Sequence, residues 1–224
     1  MRALSTITLI LTTIAVGLVA CTNKAEDSPQ AQPDAPYQAG VHYRVIEEPV
    51  PVADPSKIEV VELFWYGCGS CFYFEPLVVE WKNTIADDVN FIRMPAMWAP
   101  IMEVHARVFY VADALDVVDD VHQAIFNAIN IDKKRLASAD EISNLFSLYG
   151  VEKDQVAGLF GSAEVTNNVQ MANQRAQDYD IGGTPTIVID GKYLIQQEEN
   201  LVTHQDMIKI TDYLINKIRT EKNK

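Results

Sequence analysis

Two stretches set the plan of the chain. Residues 58–65 are almost continuously apolar, the pattern of a strand whose two faces are both covered. From about residue 101 to 179 the apolar positions instead recur at three- and four-residue steps, as in Val104, Val108, Val111 and Leu115, the period of amphipathic helices. This stretch divides into predicted helices over 103–115, 118–130, 140–149, 153–160 and 165–179. Ser138-Ala139-Asp140-Glu141 reads as a helix start and Gly150 as a stop. Strand patterns return on either side of the block. Residues 43–46 alternate and end at Pro49 and Pro51, as an edge strand does. Residues 89–94 and 186–190 predict two more strands, and Asp190-Gly191 followed by 192–195 signals a hairpin. One helix is predicted from Ser70 or Cys71 to about residue 85, kinked at Pro76, and another over 203–219. The order is strand, strand, helix, strand, helical block, strand, strand, helix, without an internal repeat.

Residues 1–20 stand apart from this pattern. Arg2 is their only charge and Leu4 to Ala20 is apolar or hydroxylated throughout, the form of an export signal. The run ends in Leu18-Val19-Ala20-Cys21, which resembles the bacterial lipobox, whose cysteine becomes the lipidated first residue after cleavage. An uncleaved anchor or an ordinary signal peptide is the plainer alternative. Cysteine arithmetic favours lipidation of Cys21: the chain has three cysteines, and removing one to a lipid leaves a single pair. Residues 21–40 are rich in Ala, Pro, Gln, Asp and Ser without apolar periodicity. They read as a flexible tether, stiffened at Pro29, Pro33 and Pro36, that holds a soluble domain away from a membrane. The 18 basic against 31 acidic residues give a net charge of -13. Such a chain repels phosphate backbones, which argues against nucleic acid as a partner.

The candidate chemistry lies at two junctions. Cys68-Gly69-Ser70-Cys71 falls where the apolar strand gives way to a helix, and Gly182-Gly183-Thr184-Pro185 falls just before the strand at 186. Two cysteines so spaced open and close a disulfide within one small ring, and a helix N-terminus favours the thiolate that attacks. This points to thiol–disulfide exchange. A structural zinc site needs four ligands; no cysteine is left beyond Cys21, and His42, His105, His122 and His204 are scattered without ligand spacing. The histidines read as surface or satisfied core residues. An inert structural disulfide is the other alternative, but so small a ring constrains little chain entropy. No metal or cofactor is expected.

These residues resemble the DsbA family of exported disulfide oxidoreductases, from about Val41 to the end of the chain. Val61-Glu62-Leu63-Phe64 leads into the motif with Glu62 where the family keeps a buried acid. Phe72-Tyr73-Phe74-Glu75 and Pro76 follow it, and Gly182-Gly183-Thr184-Pro185 matches the cis-proline loop of the superfamily. The resemblance implies an α/β, thioredoxin-like fold with an inserted all-helical domain, divided as 41–98, 99–179 and 180–224. It implies Cys68 as the partly exposed nucleophile and Cys71 as the buried resolving thiol. Pro185 is then cis, and Thr184 offers its backbone to an extended substrate. Gly69, Ser70, Trp65 and Tyr66 become substrate-binding candidates; Trp65, Tyr66, Phe72 and Tyr73 either line a hydrophobic peptide groove or belong to the core, and Met97 and Trp98 rim the same groove. Glu62 either exchanges protons with Cys71 or is a buried carboxylate satisfied by a neighbour such as Arg93. Glu75 either tunes Cys68 or is ordinary first-turn helix chemistry.

The chain departs from the family at two points. Gly69-Ser70 stands where Pro-His is common, and Thr184 where valine is common. Without a histidine in the dipeptide, the Cys68 pKa is expected between the about 3.5 of DsbA and the about 7 of thioredoxin. The disulfide is then a weaker oxidant than DsbA at about -120 mV. The implied function is to introduce disulfides into unfolded or reduced exported proteins from a lipid-anchored, periplasmic position, as a monomer, with reoxidation by a DsbB-like quinone-coupled membrane partner. Thr184 keeps open an exported reductase or isomerase served by a DsbD-like reductant, although residues 22–40 are too short for the dimerisation domain such isomerases add. A peptide-binding chaperone without catalysis is the third reading.

Overall fold

A computed structural model describes residues 35–198 and 201–222. The expected export signal, Cys21 and the tether up to residue 34 lie outside the described residues. Five strands, β1 (Arg44–Val45), β2 (Ile58–Phe64), β3 (Val89–Pro95), β4 (Thr186–Ile189) and β5 (Tyr193–Gln196), form one sheet in the order β1-β5-β4-β2-β3. β3 lies parallel to β2 after a crossover through α1 (Gly69–Lys82), and β4 pairs antiparallel with the other edge of β2.

Every residue of β2 is buried, which is the physical origin of its almost continuously apolar sequence. Ile58 and Val60 meet Phe74, Val78 and Trp81 of α1 and Met207, Ile210 and Leu214 of α7 (His204–Lys222). Val61 and Leu63 point to the opposite face, against Ala172 and Ala176 of α6 (Ala163–Asp178) and the following Tyr179. The alternation is that of a strand with a helical layer on each side. Asp190 and Gly191 close the β4–β5 hairpin with φ of 50° and 64°, the left-handed pair that matches strand twist.

Between β3 and β4 the chain forms α2 (Pro100–Ala114), α3 (Val118–Asn130), α4 (Ala139–Phe146), α5 (Lys153–Phe160) and α6. Their apolar faces share a core that includes Val108, Val111, Ile125, Phe126, Ile142, Phe146, Val156 and Val165. Ser138 caps α4, its hydroxyl accepting the Glu141 amide at 3.3 Å. The same core takes in Phe64, Tyr66 and Cys71, so the cysteine motif sits where the helical core meets the end of β2. Residues ahead of the expected start at 41 already pack on the fold. Tyr37 packs edge-on to Tyr213 with ring centroids 5.5 Å apart, and the Gln38 amide donates to His42 Nδ1 at 3.1 Å. Among the described residues no helix is long and apolar enough to cross a membrane.

Candidate active site

Cys68 is the N-cap of α1. Its backbone is extended at φ -85°, ψ 113°, and its sulfur accepts the Cys71 amide at 3.2 Å. One of the unpaired donors of a helix start is thereby aimed at sulfur rather than at a side-chain oxygen. Both cysteines are free thiols; Cys68 is half-buried and Cys71 is buried. In its neutral form Cys68 donates to the Thr184 carbonyl oxygen at 3.3 Å. The ionised form is favoured first by the Cys71 side chain, then by Thr184 and the amides of Cys71 and Ser70; together these outweigh partial burial and bring the thiol down to about 6. Cys71 moves the other way. Burial raises it far above an ordinary thiol, and the adjacent Cys68 raises it further. The pair is thus split into one sulfur that ionises readily and one that keeps its proton.

The Thr184–Pro185 peptide bond is cis, and the loop carrying it is fastened from several sides. Thr186 Oγ1 donates to the Gly183 carbonyl at 2.7 Å, and Gln196 Nε2 donates to Thr186 Oγ1 at 2.9 Å. Upstream, Arg44 donates to the carbonyls of Tyr179 and Asp180 at 2.8 and 2.7 Å. These bonds hold Thr184 against Cys68 from the sheet side.

Glu62 is buried but is not hydrogen-bonded to Cys71. Arg93 approaches it at 3.5 Å and bonds Glu75 at 2.7 Å. Glu75 also faces His122 Nε2 at 3.5 Å. It lies deeper than the first turn of α1, and its carboxylate turns inward, away from the role of a first-turn acid acting on Cys68. One guanidinium therefore serves two buried carboxyls. Burial pushes Glu62 up to about 8, with Glu75 adding to the rise and Arg93 opposing it. Burial likewise pushes Glu75 up to about 7 against Arg93. The two titrate as a pair that retains a proton near neutrality.

Tyr66, a substrate-binding candidate from the sequence, belongs to this interior. It is 1% exposed and cannot line a groove. Burial raises its hydroxyl well above the ordinary tyrosine range and lowers His122 well below that of a free histidine. The hydroxyl lies 2.7 Å from His122 Nδ1, a hydrogen bond between two neutral groups whose direction follows the imidazole tautomer. Trp65 is half-buried, its Nε1 donating to His105 Nδ1 at 3.0 Å. Gly69 is exposed and Ser70 half-buried beside Cys68, while Tyr73 and Trp98 are 72% and 55% exposed. Phe72 and Met97 pack partly against the helical core. Two residues that sequence reasoning did not connect with the motif also reach it. His204 Nε2 lies 2.8 Å and Gln197 Oε1 2.5 Å from Ser70 Oγ. Neither has a local signal, because both arrive from the far end of the fold.

Residues 86–209 match the model of the DSBA-like thioredoxin domain; that span begins beyond Cys71. The thiol:disulfide interchange protein DsbA of Pseudomonas aeruginosa is 38% identical over 188 residues, covering 84% of this chain and 89% of the relative. The protein of the same name from Azotobacter vinelandii is 37% identical over 193 residues, covering 85% and 90%. The crystal structure of Pseudomonas aeruginosa DsbA superposes with a TM-score of 0.80 at 38% identity, covering 84% of this chain and 97% of that one. That of the oxidoreductase DsbA from Xylella fastidiosa gives 0.76 at 33% identity, covering 81% and 97%. By sequence over most of its length and by the thioredoxin-like sheet with its helical block, the chain belongs to the DsbA family.

Proposed function

We propose that this protein disulfide oxidoreductase works as an exported donor of disulfides, with Cys68 as the exchanging sulfur and Cys71 as its resolving partner. A substrate thiolate attacks Cys68 Sγ of the oxidised pair. The Cys68–Cys71 bond breaks, a mixed disulfide forms on Cys68, and Cys71 leaves and takes up a proton. A second substrate thiolate then attacks the substrate sulfur of the mixed disulfide, and Cys68 leaves as thiolate. One disulfide is made in the substrate and one is lost from the enzyme. The observation that carries this reading is the asymmetry of the pair. A leaving thiol of low pKa departs faster and stabilises the reduced enzyme, which makes the disulfide more oxidising.

In the same reading Pro185 and Thr184 present an extended edge to the substrate next to Cys68, with Gly69, Ser70 and Trp65 around it. The halves 41–98 and 180–224 carry the site, and the insertion 99–179 covers its buried side. Lipidation of Cys21 and the tether to residue 40 place a monomer at a bacterial membrane facing the periplasm, acting on reduced exported proteins and reoxidised by a DsbB-like partner. The Thr184 hydroxyl near Cys68 favours a second reading, a reductase or isomerase kept reduced by a DsbD-like partner. Equilibration with glutathione separates the two. A potential between thioredoxin at about -270 mV and DsbA at about -120 mV, nearer the latter, is expected of a donor; a value at or below that of thioredoxin assigns the reductase. In either case Cys68→Ser abolishes turnover, and a variant that retained activity would make the protein a binding scaffold.

A further inference from the structure

Neither residue of the dipeptide Gly69-Ser70 ionises, yet an imidazole reaches it through space. Ser70 Oγ lies 2.8 Å from His204 Nε2, at the start of α7, and 2.5 Å from Gln197 Oε1, just past β5. A hydroxyl has one proton to donate and lone pairs to accept. With the Gln197 oxygen facing it, Ser70 donates there and accepts His204 Nε2–H. The imidazole is itself held, packed on Phe74 of α1 with ring centroids 5.2 Å apart. The acid of the same turn, Asp206, is engaged elsewhere, by the Thr203 hydroxyl at 2.6 Å and Lys209 at 3.7 Å.

The anchored side chain belongs to the turn that faces the reactive sulfur. The amides of Ser70 and Cys71 both favour the ionised Cys68, the latter at 3.2 Å. Two amides stabilise an anion only while their directions converge on it. We infer that His204, with Gln197, is a positioning residue for Cys68: by fixing the Ser70 side chain to α7 and β5, it holds the first turn of α1 so that both amides stay aimed at the sulfur. The inference rests on Cys68 being the exchanging thiol and is independent of the direction of electron flow. A chain without a dipeptide histidine thus draws a tertiary one to the same turn.

Three single variants of the full chain, with the His204→Phe/Ser70→Ala double variant, test it. His204→Phe keeps a ring on Phe74 without the hydrogen bond, His204→Gln keeps a donor within reach of Ser70, and Ser70→Ala cuts the link. Each is titrated for Cys68 thiolate by absorbance near 240 nm and equilibrated with glutathione. One lost neutral hydrogen bond corresponds to about a three- to tenfold change. His204→Phe and Ser70→Ala should each weaken the disulfide as an oxidant by that factor, about 14 to 30 mV, with the thiolate midpoint rising in parallel. The double variant should be no worse than either single one, and His204→Gln should restore most of the effect. An unchanged equilibrium constant in His204→Phe overturns the inference, as do additive effects in the double variant. So does a lowered melting temperature with no shift in potential, which would mark a merely structural contact. Failure of the underlying reading looks different: mass spectrometry of the wild-type protein with glutathione would place the mixed disulfide on Cys71 instead of Cys68.

Discussion

The split between the two thiols has a thermodynamic consequence that can be isolated from the rest of the protein. In the reduced fold Cys68 ionises at about 6, against about 8.5 in an unfolded chain. Between those values the unfolded state binds more protons than the native one, so the stability of the reduced protein rises with pH, and it is lost as pH falls through the native value. From pH 6 to 8 the unscreened gain is about 2 kcal/mol; Cys68 is only half-buried, and screening reduces this to about 1 kcal/mol. Glu62 and Glu75 act with the opposite sign. Their raised native values mean that the fold keeps protons an unfolded chain has already released, so their contribution falls as pH rises through about 7 and 8. Both carboxyls are present in either redox state, whereas the Cys68 thiol exists only in the reduced one.

The measurement is therefore a difference. Urea unfolding of the reduced and of the oxidised protein is followed by tryptophan fluorescence at pH 6, 7 and 8, with thiolate absorbance recorded alongside. The reduced-minus-oxidised stability should grow by about 1 kcal/mol over this range, with an absorbance midpoint near 6. Cys71, raised by burial, opposes this only where an unfolded thiol ionises, near 8.5, which is why the comparison stops at pH 8. A flat difference together with a midpoint near 8.5 would refute the account of Cys68, whatever the protein's turnover.

Three substitutions probe the surroundings. Glu62→Gln leaves Arg93 to a single carboxylate, so it should stabilise the protein by about 1 kcal/mol at pH 8 and by less at pH 5; equal urea midpoint shifts at both pH values would count against the shared-proton description. Tyr66→Phe strips the buried His122 of its 2.7 Å partner and should cost about 1–3 kcal/mol of stability, while KM for a reduced peptide stays unchanged because Tyr66 is not on the surface. Gly191→Ala combines φ of +64° with a Cβ that would sit 1.9 Å from the Val50 carbonyl oxygen. It should cost more than about 2 kcal/mol, read as a drop in melting temperature with unchanged Cys68 chemistry.

The elements were legible because each is specified by its own neighbours in sequence. α3 and α5 have the ends that their periodicity predicts, and the cysteine turn is chemistry within one helical turn. Tyr66 was not legible. The strand β2 ends at Phe64, so beyond it an aromatic residue reads equally well as groove or as core. Nor was the Ser70–His204 contact, which joins residues 134 apart and leaves no trace in either local pattern.

One part of the interior was within reach of a more even argument. β2 carries two carboxylates, Glu59 and Glu62, three positions apart and therefore on opposite faces. The cost of burying an ionised group unpaired applies to both, yet only Glu62 sits where the family resemblance draws attention. A strand covered on both faces that carries an acid on each requires a cation beside each, or a proton in its place. The fold meets both demands, differently. Arg175 of α6 pairs with Glu59. Arg93 of β3 is divided between Glu62 and Glu75, so on that face a proton must make up the balance. The face with the surplus carboxyl is the one that α1 covers, and Cys68 caps α1. The proton-retaining pair thus lies under the helix whose first turn stabilises a thiolate, because Glu75 of α1 adds a second carboxyl to the face where β2 carries Glu62 and β3 supplies one guanidinium.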